Sequence, residues 1–335
     1  ARPAEGLREA QAPNGEAPDE RSATERAPWP WWQRKAIMIP AAPALIVVGL
    51  VAILFAVNGN EPPAHPNGPL DGTSAVEFGA PTTPNGRPYE NAPGGSETWV
   101  IESACQSGAC VATASKVSGS QSTASTLALD ETDGKWTSVS AAPGTCQNAP
   151  TEFWETISLQ SQPDGSLHGE FIVRSMTDCA RNQQVTFTRS GDAERNVPIA
   201  DPQTQPPRVA SPAEGLHGRY QEIETYADGG RSAEANFDIQ TYCLRTGQRC
   251  LSYWSNPDDA KILIFSQSQW VLATTSSDSK CQNGSAAHRE ITLQYPLPQP
   301  PQNPITLLSG RGHYTLAGAC PFNSDFDSRV ERTGN

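Results

Sequence analysis

The residues with the most chemical potential in this sequence are eight cysteines: Cys105, Cys110, Cys146, Cys179, Cys243, Cys250, Cys281 and Cys320. Close cysteine pairs bind zinc, run thiol–disulfide exchange or staple loops, and spacing separates these roles. Zinc sites favour two-residue separations with a second close Cys or His pair. Here SACQSGACVATA (103–114) and TYCLRTGQRCLSYW (241–254) enclose four and six residues, while the other four cysteines stand alone. The spacing of redox dithiols is absent too. What remains is structural disulfide chemistry, which needs an oxidising compartment. No metal and no cofactor is expected.

Other reactive side chains form no constellation. His65, His168, His217, His288 and His313 are scattered, and the similar placing of His168 and His313 reads as solvated strand positions. The run GRGHY at Gly310 lacks the strand–loop–helix setting of a phosphate cradle and reads as a bulge or edge turn. Asp325 and Asp327 lack an octahedral ligand set around them and read as a solvated loop. No catalytic residue is nominated, so the chain itself is not expected to be an enzyme. Aromatics are more suggestive. Tyr242, Tyr253 and Trp254 bracket the second Cys pair where the first has Ala104, Thr113 and Ala114. They fit a bulkier core, or, with Trp270, a ligand or partner surface. YPLPQPPQNP (295–304) reads as a rigid hairpin spacer, with docking of a stiff polyproline segment as the alternative.

The compartment follows from residues 36–57, AIMIPAAPALIVVGLVAILFAV, which carry no charge and at about 1.5 Å per residue span a hydrocarbon core of roughly 30 Å. They read as a transmembrane helix. Trp29, Trp31 and Trp32 suit an interfacial belt, and Arg34 with Lys35 flank only the N-terminal end. The positive-inside rule then puts residues 1–35 in the cytoplasm, as a disordered segment, and the rest outside. The expected location is therefore the cell membrane, single-pass. Residues 1–57 hold six basic and six acidic side chains, so the net charge of −12 lies wholly beyond the helix. Such an acidic ectodomain suits neither nucleic acid nor anionic lipid.

The ectodomain repeats itself. After a linker (58–69), a first copy (70–192) and a second (214–335) flank a Pro-rich linker (193–213). Cys105 and Cys110 answer Cys243 and Cys250, Trp136 answers Trp270, CQN at Cys146 answers CQN at Cys281, ISLQ at Ile157 answers ITLQ at Ile291, and Cys179 answers Cys320. Each copy reads as all-β. Alternating runs such as FDIQTYC, QWVLATT and GEFIVR are parted by Asp133-Gly134, Asp164-Gly165 and Asp228-Gly229, giving about seven or eight strands per copy. A small meander barrel and a sandwich both fit. Four cysteines per copy allow three pairings. The expected set is Cys105 to Cys110, Cys146 to Cys179, Cys243 to Cys250 and Cys281 to Cys320.

WWQRK before the helix, the Pro-rich spacer, the C-x(6)-C pair, HREITLQYPLPQPPQNPITLLSGRGHYTLAGAC and the closing RTG together resemble the extracytoplasmic sensor region of mycobacterial transmembrane serine/threonine protein kinases. The resemblance implies an actinobacterial envelope receptor that senses an outside ligand or envelope protein and signals through one helix, with a homodimer among its expected states. The chain lacks the Gly-rich loop, V-A-I-K, H-R-D-x-x-x-x-N and D-F-G of a kinase, and HRE at His288 falls outside the membrane. A kinase half upstream of Ala1 is the first expectation. The alternative is a stand-alone membrane-anchored binding protein for a small hydrophobic ligand or a protein partner.

Overall fold

Period-two alternation decides the architecture. A computed structural model describes residues 70–335 apart from 107, 108, 178, 194, 195, 233, 258 and 282. The expected cytoplasmic segment, membrane helix and first linker lie outside those residues. Among the described ones no helix is long and apolar enough to cross a membrane.

The first copy forms β1 (Gly72–Phe78), β2 (Gly95–Gln106), β3 (Ala109–Ser118), β4 (Thr126–Thr132), β5 (Lys135–Cys146), β6 (Ala149–Ser161), β7 (Leu167–Ser175) and β8 (Arg181–Gly191). The second forms β9 (Gly218–Tyr226), β10 (Ala235–Cys243), β11 (Cys250–Ser255), β12 (Ala260–Ser266), β13 (Gln269–Lys280), β14 (Ala286–Pro296), β15 (Leu307–Gly318) and β16 (Phe322–Gly334). Each set is an antiparallel meander closed by its first and last strands, through Val76 opposite Phe187 and Glu222 opposite Val330. The described residues therefore form two eight-stranded barrels. Closure removes the exposed edges that a sandwich would keep.

Inward positions carry the cores. Trp99, Trp136, Phe171, Leu129 and Ile157 fill the first barrel, where Phe78 meets Phe171 edge-on at 5.1 Å. Trp254, Trp270, Tyr220, Tyr295 and Phe265 fill the second. The GRGHY run is neither bulge nor edge turn but mid-strand β15. Its glycines face inward, where a Cβ on Gly310 would fall 2.5 Å from the Gln294 carbonyl and one on Gly312 would overlap the Phe326 ring. Large aromatics on neighbouring strands have taken that space.

The disulfides are Cys105–Cys110, Cys146–Cys179, Cys243–Cys250 and Cys281–Cys320. The short ones join directly opposed residues across β2–β3 and β10–β11. The long ones tie neighbouring hairpins at one rim of each barrel. The proline-rich segment after β14 folds over the other rim of the second barrel. There Ile305 is fully buried, its N–H donates to Gly215 and its carbonyl accepts from Tyr220.

Candidate functional site

The two barrels meet through side chains that alternation turns away from both lumens. From the first come Val139, Ala141 and Trp154, and from the second Leu251, Tyr253, Tyr242, Leu244, Ile262 and Ile264, which form an apolar cluster of their own. Two arginines inside the Cys243–Cys250 loop frame it. Arg245 donates from Nε to both Asp130 oxygens at 3.0 and 2.9 Å and from Nη2 at 2.9 Å, and its Nη1 reaches the Pro206 carbonyl. Arg249 grips Glu152 at 3.1 and 2.8 Å and lies 5.4 Å from the Trp154 ring centre. The disulfide thus holds a short loop whose two cations both reach the first barrel.

A third arginine comes from the opposite side. Arg174 on β7, 3 % exposed, sets its guanidinium 4.4 Å from the centre of the Tyr253 ring. Its Nη1 donates to the Val173 and Arg181 carbonyls and to Asn182 Oδ1. Burial lowers the pKa of Arg174, and it raises those of Tyr242 and Tyr253. Glu152 is held below the usual carboxylate range, chiefly by its hydrogen bond from Arg249. A charged, aromatic contact of this kind fixes orientation as well as proximity.

The four aromatics singled out by the sequence therefore separate into two places. Tyr242 and Tyr253 stand between the barrels. Trp254 and Trp270 lie inside the second barrel, fully buried, with Trp254 stacked on Tyr295 at 5.6 Å and Trp270 donating to Ser252 Oγ at 3.0 Å.

The first barrel's rim carries a plug that the sequence reading missed. The β3–β4 connection (119–125) turns inward. Glu97 accepts from the Ser122 N–H at 2.8 Å, from the Ser122 hydroxyl and from Trp99 Nε1, and Lys116 stands 3.7 Å away. Glu155 accepts from the Thr123 and Ala124 amides at 2.6 and 3.0 Å. Both glutamates are 2 % exposed. Buried carboxylates persist only when satisfied in this way. The excursion between β1 and β2 (79–94) covers the same end, pairing Thr82 with Asn182 and sending the Tyr89 hydroxyl to the Ala180 carbonyl. Two glutamates in step with the core residues of their strands, Glu97 with Trp99 and Ile101 and Glu155 with Phe153 and Ile157, were the available signal.

After β8 the chain runs as a strap along the outside of the first barrel. Ser115 and Thr113 donate to the Pro198 and Ala200 carbonyls at 2.8 and 2.5 Å. Residues up to about 204 therefore pack with the first barrel.

His217, His288 and His313 contact the Glu214 carbonyl, Glu290 and Asp325, respectively. Asp325 and Asp327 lie on β16 rather than in a loop, beside a groove of about 620 Å³ across the outer face of β14–β16 that Thr292, Gln294, Arg311 and His313 also line. Among the described residues no group of three His, Cys, Asp or Glu is placed to hold a metal.

Comparison with known proteins matches part of the chain to one family model. Residues 66–204, which take in the first barrel and its strap, match the PknI serine/threonine-protein kinase sensor domain. No curated protein matches. Among solved structures, the monomer form of the M. tuberculosis PknI sensor domain is 22% identical, covering 40% of this chain and 97% of that one with a TM-score of 0.33. The dimer form is 20% identical over 36% of this chain and 85% of that one, with a TM-score of 0.27. A putative outer membrane protein from Bacteroides fragilis is 7% identical over 78% of this chain and 96% of that one, with a TM-score of 0.20. The resemblance to a kinase sensor region thus stands on the first barrel.

Proposed function

We propose that this chain is the sensing portion, with its membrane anchor, of a receptor-like serine/threonine protein kinase, and that the kinase domain belongs to the same gene product upstream of Ala1. The sensor-domain match over residues 66–204 carries the reading. The apolar run at 36–57 with cations on its N-terminal side supports a single span with the barrels outside, and four disulfides agree with an oxidising compartment. In this reading residues 58–69 space the first barrel from the membrane and the second barrel lies beyond it. Locked together by Arg245 and Arg249, the barrels pass a binding event on as one body. A single helix conveys such an event through a change in pairing or orientation between copies, so a homodimer is the expected signalling unit.

The gene itself tests this. Reading the coding sequence in frame upstream of Ala1 should reveal the Gly-rich loop, the catalytic Asp and D-F-G of a kinase, and deleting residues 70–335 from the full product should alter its autophosphorylation. A start codon close to Ala1 with no kinase motif would overturn the proposal. It would favour the membrane-anchored binding protein, a reading to which the rim of the second barrel already lends support.

A further inference from the structure

The two copies differ most at the rim formed by the β1–β2, β3–β4, β5–β6 and β7–β8 connections and their counterparts in the second barrel. In the first barrel, inward side chains at this rim are sealed: Phe78, Glu97, Glu155, Val173 and Ser175 are all buried beneath the plug. The second barrel joins β9 to β10 and β11 to β12 by shorter turns, and the described residues of both turns are mostly exposed. No described residue fills the place of the plug. Consequently the inward positions Tyr226, Lys261, Arg289, Ile291 and Tyr314 are only half-buried, and inward Phe322 is 40 % exposed.

This mouth has a chemical character. Tyr226, Tyr314 and Phe322 form one aromatic wall, with ring centres 5.9 Å apart for Tyr226 and Phe322 and 5.7 Å apart for Tyr314 and Phe322. The acidic side is already satisfied. Glu222 accepts from Lys261 at 2.5 Å, Tyr295 at 2.9 Å and Ser328 at 3.1 Å, while Glu224 accepts from Tyr226 at 2.9 Å and faces Lys261 at 3.7 Å. Arg289 is different. It points inward from β14, has no carboxylate partner among the described residues, and its buried Nε has no hydrogen-bond partner. A guanidinium with no acidic partner among the described residues, beside an aromatic wall, selects an anion with an apolar body. The floor is aromatic, because stacked Trp254 and Tyr295 lie fully buried in the lumen below.

We propose that the open mouth of the second barrel binds a small amphipathic anion, a carboxylate or phosphate on a ring or short apolar chain, with Arg289 pairing the anion and Tyr226, Tyr314 and Phe322 holding the apolar part. This deepens the sensor reading by naming the chemical class sensed, and rests on it only for the signalling consequence. The test uses the full chain in phosphatidylcholine nanodiscs, titrated calorimetrically with 3-phenylpropionate, phenyl phosphate and 3-phenyl-1-propanol, with empty discs subtracted. One saturable site per chain is expected for at least one anion, and the stronger of the two distinguishes a carboxylate from a phosphate source. The alcohol should bind at least about tenfold more weakly, and Arg289→Gln should weaken the anion by about tenfold or more, since a charge-assisted hydrogen bond is lost. Ser324→Trp, which fills the mouth from β16, should abolish binding with near-ultraviolet circular dichroism retained.

Equal binding of alcohol and anion, no saturable anion binding, or anion affinity unchanged in a folded Arg289→Gln would overturn the proposal. The comparison of anion with alcohol needs no variant and decides even if a substitution misfolds. Neither outcome depends on a kinase domain, so failure here leaves the sensor reading standing, and an upstream frame without a kinase leaves the binding mouth standing.

Discussion

The coupling across the contact between the barrels is best tested on Arg245 and Asp130. The pair makes three hydrogen bonds of 3.0 Å or less, with side chains only 16 % and 17 % exposed. Exposed ion pairs are worth about 0.2–1 kcal/mol, whereas a hydrogen bond to a charged group contributes about 1.5–3 kcal/mol. A bidentate, mostly buried pair should show a coupling of about 2 kcal/mol. Asp130→Asn, Arg245→Gln and the double variant give that coupling from urea unfolding of the disulfide-intact chain, provided each retains the same slope on denaturant. Salt supplies a second readout. Because water reaches the pair poorly, more than half the coupling should persist in 1 M NaCl, where exposed pairs are screened within about 3 Å. Additivity within about 0.3 kcal/mol would show that Arg245 and Asp130 do not help to hold the barrels together, and would leave the contact to Arg249, Arg174 and the apolar cluster.

Three further outcomes follow from the same contacts. The folded-state pKa of Glu152 is depressed by Arg249, so the pair's contribution is present above the unfolded glutamate pKa and is lost as pH falls through the lower folded value; acid titration of barrel docking should show this loss in the native chain and not in Glu152→Gln. Glu97→Ala leaves the Ser122 amide, the Trp99 indole and Lys116 without their buried acceptor, and should destabilise the first barrel by about 3–5 kcal/mol with new protease cleavage within 119–125. Replacing Cys146 and Cys179 by Ala opens a loop with a sequence separation of 33 and should cost about 4 kcal/mol, against about 2 kcal/mol for Cys243 and Cys250 at a separation of 7, as read by urea midpoints.

The strands and hairpins were legible because their signals are local. Asp133-Gly134 has positive φ at both residues, the backbone its sequence suits. Gln267-Ser268 has the same left-handed pair, with φ of 51° and 62°, and nothing in those side chains announces it. Barrel closure was not legible as opposed to a sandwich, because it depends on β1 finding β8 across the whole copy. Neighbouring aromatics misled for a related reason. Tyr253 and Trp254 look like one patch, yet a period of two puts one between the barrels and the other in the lumen. The partners of Arg245 and Arg249 lie 115 and 97 residues away, so nothing local distinguishes these arginines from solvated loop cations. The sensor resemblance also rests on different residues at the two levels: the phrases that carry it in the sequence cluster at the membrane approach and in the second copy, whereas the family match falls on the first.

That division bears on how the outer faces of the two barrels differ. The first barrel offers its β4–β7 side, the second its β10–β12 side, so the contact is head-to-tail and an identical third copy would extend it. Both free faces are altered. On the first barrel the side corresponding to β10–β11 is covered by the strap, which buries Thr113 and Ser115. On the second, ITLQ alignment places His288 where the first has Trp154, and His288 is exposed and bonded to Glu290. A rigid apolar anchor has become a solvated polar residue, and the outer face beyond it presents Thr292, Gln294 and His313. Contacts at protein interfaces depend on a few buried aromatic and arginine anchors, so this face lacks the tryptophan that anchors the contact between the two barrels. With no such anchor on that side and no plug among the described residues at its rim, the second barrel is the copy whose inward rim residues, Phe322 above all, are the more exposed.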